Sequence, residues 1–109
     1  MMKKESGVME PMTFGLAIEA MKNGHKVART GWNGKGMFVY LVKSTEIPID
    51  FLRGECRTHI FPLHSEISDC ETTQKISGHI DMKSVDGSIV VGWLASQTDI
   101  LAEDWGIVK

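Results

Sequence analysis

Histidines, cysteines and carboxylates are the residues of this chain that could carry out chemistry, and their spacing limits what that chemistry would be. Cys56-x2-His59-x4-His64-x5-Cys70 gathers two thiols and two imidazoles in one short stretch, the ligand types of a tetrahedral zinc site. The order Cys-His-His-Cys is unusual, Pro62 falls inside it, and neither cysteine belongs to a Cys-x2-Cys pair. The expectation is dispersed loop residues, with no bound metal and no cofactor. His79 and Asp81 share a strand face at i, i+2 and could form an acid–base pair. The same spacing also describes the solvent face of a hairpin. GxSxG, P-loop and HExxH patterns are absent, and no nucleophile–base–acid set stands out. The expectation is a protein that is not an enzyme.

Binding is the better-supported chemistry. Residues 29–42, RTGWNGKGMFVYLV, set Trp32 and Asn33 among three glycines ahead of an apolar run. One reading folds Trp32 back onto the sheet as a lid, since large aromatics dominate small cores. The other makes it a stacking platform. Gly31 and Gly34 then leave space over the indole, their amides let a ligand approach the backbone, and Asn33 reads a base edge or a ribose hydroxyl. On that reading Trp32 stands outside the main packing. Stacking a base on an aromatic contributes roughly 1–3 kcal/mol. A second stretch, GWLASQTDILAEDW at 92–105, offers Ser96 as a helix cap with Gln97 and Asp99 behind it. Free N–H groups and the positive end of a helix dipole make a weak anion site there, with Asp99 accepting from a hydroxyl. The candidate ligand-binding set is Trp32, Asn33, Gly34, Phe38, Trp93, Ser96, Gln97 and Asp99, while Trp105 is expected in the core.

The elements that must position these residues follow from periodicity and punctuation. Thr13 caps a helix whose Phe14, Ala17, Ile18 and Met21 recur at i, i+3, i+4 and i+7, and Asn23-Gly24 ends it. Lys26–Arg29 and Met37–Val42 read as strands around the glycine-rich loop. Residues 43–74 show no sustained period and read as loop, with one or two short strands or a helical turn near Ile49–Arg53. Alternation returns at Lys75, where Ile76, Ile80 and Met82 interleave with Ser77, His79 and Asp81. With Asp86-Gly87 as the turn and Ser88–Trp93 as the return strand, residues 75–93 read as one hairpin. Ser96-Gln-Thr-Asp99 has the capping-box arrangement, with Asp in place of Glu. Ile100, Leu101 and Trp105 fall on a short helix or turn, and Gly106–Lys109 on an edge strand. The fold class expected is α+β: a single small domain over residues 12–109, with a twisted antiparallel sheet, an N-terminal helix and a short C-terminal helix.

Composition narrows the partners. A net charge of −2 and a pI near 6.0, with no run of more than two basic residues, disfavour a nucleic-acid polymer. An anionic small molecule remains compatible, because a few placed donors can bind one without a basic surface. No apolar run approaches the roughly 18 residues of a membrane span. The opening MMKKESGVMEPM lacks an apolar h-region, so residues 1–11 read as a frayed tail rather than a signal peptide. Two cysteines without an export signal suggest reduced thiols in a cytoplasm.

Two blocks of the chain resemble a known family. MTFGLAIEAMKNGHKVARTGWNGKGMFVYL at 12–41 is similar to the opening of the second Thoeris anti-defence family, the phage and prophage "sponge" proteins. HIDMKSVDGSIVVGWLASQTDILAEDWGIV at 79–108 is similar to its closing half. The patterns GWNGKGMF and GW-x2-SQ-x-D-x2-A-x-DW carry the resemblance, and residues 43–74 do not share in it. The resemblance implies capture of cyclic ADP-ribose isomers, above all the glycocyclic forms, without cleavage, so that the Thoeris effector stays off. It implies a homotetramer with nucleotide pockets shared between protomers, and in some members a separate site for cyclic dinucleotides. It also implies Trp32 packed against the adenine, the Ser96–Asp99 turn as the other wall, and a setting in the cytoplasm of an infected or lysogenic bacterium. Two rivals stand beside it. One is a small phosphodiesterase or lyase using His79 and Asp81, or a metal on His59 and His64. The other is a phage structural or adaptor domain whose tryptophans form a protein interface.

Overall fold

In the computed structural model, residues 11–32, 35–60 and 73–109 are described. Helix α1 (Phe14–Lys22) begins where Thr13 Oγ1 accepts from the Leu16 amide at 3.3 Å. It ends where Gly24, at φ 94°, turns the chain away and its amide bonds the Met21 carbonyl at 3.0 Å. The chain then forms β1 (Lys26–Arg29), β2 (Phe38–Val42), β3 (Thr45–Pro48), a short 3-10 turn (Ile49–Phe51) and α2 (Gly54–Ile60). After residue 72 come β4 (Thr73–Ile76), β5 (His79–Lys83), β6 (Ile89–Val90), α3 (Gln97–Leu101) and β7 (Trp105–Val108).

The described residues up to Val42 and from His79 onward make one compact unit, and Lys43–Gly78 make a second. The first is a five-stranded antiparallel sheet ordered β6-β5-β2-β1-β7, with α1 laid on one face. Register explains the core. Val27 stands opposite Val39 on one side and Ile107 on the other, and Val39 stands opposite Met82, so one row of side chains crosses the sheet on the same face. Ala17, Ala20 and Met21 of α1 close over that row together with Trp105, which is 1% exposed. The alternate residues Lys26, Phe38, Tyr40, Asp81 and Lys83 fall on the opposite face. In the second unit β3 pairs with β4 from Thr45↔Ile76 to Pro48↔Thr73, and Ile49 and Leu52 are the buried apolar residues among those described there.

Three sequence expectations change. Residues 75–93 are not one hairpin: Thr73–Ile76 belongs to the second unit's sheet, and the chain leaves it at Ser77-Gly78 before β5 begins. Alternation runs on in phase across that break, and a period of two carries no information on which strand is the partner. The return strand is also shorter than Ser88–Trp93. Gly92, at φ 77°, ends it, and Trp93 N then bonds Ile80 O at 2.6 Å. Trp105 opens β7 rather than closing a helix, because the chain turns extended at Ala102 (φ −70°, ψ 151°) and pairs Trp105 with Arg29. In the middle segment α2 was not expected. None of its residues is buried, so it has no apolar stripe to read. The Asp86-Gly87 turn forms as expected, with Gly87 at φ 91°. Hydrogen bonds from the Ser84 hydroxyl and then the Ser88 amide and hydroxyl hold the Asp86 carboxyl down at about 2.

This packing makes Trp105 the residue whose loss is felt most. Trp105→Ala is expected to lower unfolding free energy by about 3–5 kcal/mol, the range for deleting a large buried aromatic. Leu101→Ala, at a position 73% exposed, should change it little. Urea unfolding of both variants beside the wild type measures the difference.

Candidate functional site

The site is assembled from three elements of the first unit: the end of β1, the loop that follows it and the start of α3. Arg29 lies on the core face of β1, opposite Trp105. Its guanidinium has nowhere to be solvated fully, being 16% exposed, and the fold supplies two carboxylates instead. Nε donates to Asp104 Oδ1 at 2.8 Å, and the same arm reaches Asp104 Oδ2 from NH2 at 3.4 Å. NH1 donates to Asp99 Oδ1 at 2.9 Å. Such forked charge-assisted bonds are the strong class.

Both carboxylates hold further groups. Asp104 Oδ2 accepts the Gly31 amide at 2.7 Å, and the Asp104 carbonyl accepts the Thr30 amide at 3.0 Å. A Cβ at Gly31 would lie 2.9 Å from Asp104 Oδ2 and 3.0 Å from Arg29 NH2, so the glycine is needed for close approach of the loop to the ion pair. The space expected over the indole at that glycine is thus filled by protein. Asp99 is the third residue of α3's first turn. Its amide donates to Ser96 Oγ at 3.1 Å and its Oδ2 accepts the Ser96 amide at 3.4 Å, the reciprocal box read from the sequence. Asp99 Oδ1, besides Arg29, accepts the Trp32 indole N–H at 3.1 Å, and the Asp99 carbonyl accepts the Trp105 indole N–H at 3.0 Å.

Charge follows geometry. Hydrogen bonds to Asp104 and then Asp99 raise the Arg29 pKa, and the Arg29 bond is the main cause holding the Asp104 carboxyl below its ordinary value. For Asp99, burial pushes upward most strongly, but the combined hydrogen bonds from Arg29, Trp32 and Ser96 outweigh it and the carboxyl is lowered.

The three tryptophans form one cluster. Trp32 meets Trp105 edge-on at 5.2 Å and 78°, and Trp93 at 6.2 Å and 76°; Trp93 meets Trp105 at 6.4 Å and 72°. Trp32 is half-buried and packed on the core, not standing outside it. Of the sequence-derived set, the structure therefore brings together Trp32, Trp93, Ser96 and Asp99, with Gln97 exposed beside them at the head of α3. Asn33 and Gly34 lie outside the described residues. Phe38 is not brought to this cluster. It sits on the other sheet face, 6.1 Å from Tyr40 and under the Lys26 ammonium at 4.7 Å. His79 Nε2 lies 3.5 Å from Asp81 Oδ1, which also accepts the Gly92 amide, and Asp81 is buried. Cys56 and His59 fall on α2, while His64 and Cys70 lie outside the described residues. Among the described residues no three potential ligands gather to hold a metal, and no helix is long and apolar enough to cross a membrane. Sequence reading missed Arg29, Gly31's close approach and Asp104. Partners 70 and 75 residues apart leave no local signal.

Comparison with known proteins gives this geometry a family. Residues 12–108 match the Thoeris anti-defense 2-like domain. The chain is 40% identical over 98 residues to Thoeris anti-defense 2 of Bacillus phage SP01, covering 90% of this chain and 96% of that protein. The chain belongs to the Thoeris anti-defense 2-like family.

The depressed carboxyls set a pH dependence. Asp99 and Asp104 add stability that is present above the ordinary carboxylate range and lost as pH falls through their lowered folded values. Arg29→Met should therefore be less stable than wild type at pH 7, with the gap closing as pH falls below about 4, where unfolded carboxylates protonate. Denaturant midpoints across that range measure it, and a gap independent of pH would contradict the assignment. Gly31→Ala should lower the neutral-pH midpoint as well, because the added methyl meets the ion pair.

Proposed function

We propose that this member of the Thoeris anti-defense 2-like family is a phage anti-defence protein that works by capture. In the host cytoplasm it binds a cyclic ADP-ribose isomer of the glycocyclic kind, holds it uncleaved and keeps the Thoeris effector from its signal. The observation that carries the reading is the state of Trp32. Its indole is half-buried, packed edge-on against two other tryptophans and hydrogen-bonded through its N–H to Asp99. An aromatic fixed in this way can receive a base with little further loss of side-chain freedom, a cost of about 0.5–1.5 kcal/mol for a free one. Capture at nanomolar level requires about 12 kcal/mol. Stacking, phosphate contacts and buried ribose hydroxyls together are of that order in a pre-formed pocket.

Ser96 and Gln97 extend the reading to the rest of the ligand. Both are exposed at the head of α3, and their hydroxyl and amide can donate to phosphate oxygens. A 12.1 kDa chain has little depth for a nucleotide pocket, which favours a homotetramer with pockets shared between protomers. A separate site for cyclic dinucleotides belongs to the same reading, and the Phe38 face, with Lys26 and Lys83 ammoniums 4.7 and 5.9 Å from the ring, has the aromatic and cationic groups for one.

Calorimetric titration with a cyclic ADP-ribose isomer tests capture directly. The wild type is expected to bind, and ligand released by heating should be recovered intact. Cleaved products would instead favour an enzyme, with the His79–Asp81 pair the first residues to substitute. Trp32→Ala should weaken binding about tenfold to a hundredfold, and Trp32→Phe by less, since stacking contributes roughly 1–3 kcal/mol. Because Trp32 packs on Trp105, far-UV circular dichroism and a thermal melt of each variant must show it folded at the titration temperature.

A further inference from the structure

The sheet of the first unit has two edges, and they differ. At β7 the outer side is bridged by the segment before α1. Met12 N donates to Trp105 O at 2.9 Å and Trp105 N to Met12 O at 3.1 Å. Along β6 no such bridge occurs among the described residues. Ile89, Val90 and Val91 are 48%, 43% and 71% exposed, and Leu94 is 88% exposed. Edge strands of soluble proteins are usually blunted by short length, a charge, a proline, a bulge or a cover, because their outward N–H and C=O groups invite another strand. Strand β6 is short, at two residues, but has none of the other devices among the described residues. From Gly87 to Thr98 the chain has neither a charged residue nor a proline. Antiparallel alternation turns about half of the β6 backbone groups away from β5.

We propose that β6 pairs antiparallel with β6 of a second copy of this chain about a two-fold axis, joining two five-stranded sheets into one. The proposal rests on the oligomeric reading above and names the surface that makes it. Charge selects the occupant. A strand bearing a lysine or a carboxylate would bury that charge against Ile89, Val90 or Val91, whereas the same uncharged segment of a second copy brings none. Run against itself, the segment sets β-branched residues across from one another, the pairing that such side chains favour. The interface is isologous and closes after two copies. The strand ends at Val90 and the chain turns at Val91-Gly92, with Gly92 at φ 77°, so the paired length is short and the strand does not extend into a longer ribbon.

Sedimentation equilibrium of the full chain, with Val91→Lys beside the wild type, tests this. Val91 is exposed enough that lysine is accommodated in the protomer. The expected result is a wild-type assembly of even copy number and a Val91→Lys species of half that mass, while Val91→Thr keeps the wild-type mass. Hydrogen exchange on the wild type gives a second reading that needs no variant. Amides at 89–91 should gain protection as protein concentration rises through the assembly range. An assembled wild type whose mass survives Val91→Lys, or whose 89–91 amides exchange as freely as in dilute protein, overturns the β6 interface and leaves the oligomeric reading standing. A monomeric wild type overturns both, and ligand capture is then judged by the titration alone.

Discussion

One guanidinium holds the site together. Arg29 ends β1 with its side chain on the core side of the sheet, and a partly buried charge of this kind is favourable there only when it is paired and hydrogen-bonded. Asp104 and Asp99 supply the pairing, and each is itself anchored: Asp104 immediately before β7, Asp99 in the first turn of α3. The same oxygens then order what would otherwise be a loose loop, since Gly31 hangs from Asp104 and the Trp32 indole from Asp99. Strand, loop, helix and edge strand are thus tied through one side chain. Removing it leaves two carboxylates facing one another and two loop donors with altered acceptors, a larger effect than deletion of a surface ion pair would have.

Much of this fold could be read from local signals, and the parts that could not share a cause. Helix α1 announces itself through Thr13, an apolar stripe and Asn23-Gly24, all within reach of one another. The Ser96–Asp99 box and the Asp86-Gly87 turn are legible for the same reason. The split between β4 and β5 is not, because Ile76 and Ile80 keep the same alternating phase while serving different sheets. Arg29 is not either: RTGW and AEDW carry no mark that their charges meet, as neither has a spacing that a local rule could use. Trp32 was legible as an unusual residue but not as to its packing. Neighbouring glycines suggested freedom, and at Gly31 the absent side chain makes way for the ion pair instead.

On the capture reading, the platform and lid readings of Trp32 therefore merge. A lone indole on a glycine loop would rotate, and each ligand would have to freeze it. Here the polar end is fixed by Asp99 and the hydrocarbon edge by Trp93 and Trp105. Edge-to-face contacts of this kind contribute about 0.5–1.5 kcal/mol beyond area burial. They also couple the site to stability, because Trp105 is the centre of the core and its own indole N–H bonds the Asp99 carbonyl. Asp99 consequently serves both tryptophans, one through its side chain and one through its backbone.

That double service bears on what Asp99 can offer a ligand. Oδ1 already accepts two hydrogen bonds and Oδ2 accepts the Ser96 amide, so about three of the carboxylate's four acceptor positions are taken by the protein before any hydroxyl arrives. Ser96 Oγ, in turn, accepts the Asp99 amide but keeps its own proton to donate. Among the described residues exposed at this corner, the Ser96 hydroxyl and the Gln97 carboxamide each have a proton to donate. Donors at the head of α3 suit phosphate oxygens better than sugar hydroxyls acting as donors. On the capture reading, the ligand's anionic part belongs at Ser96 and Gln97, and its aromatic part at Trp32. Asp99 stands between them as the residue that holds both walls in place.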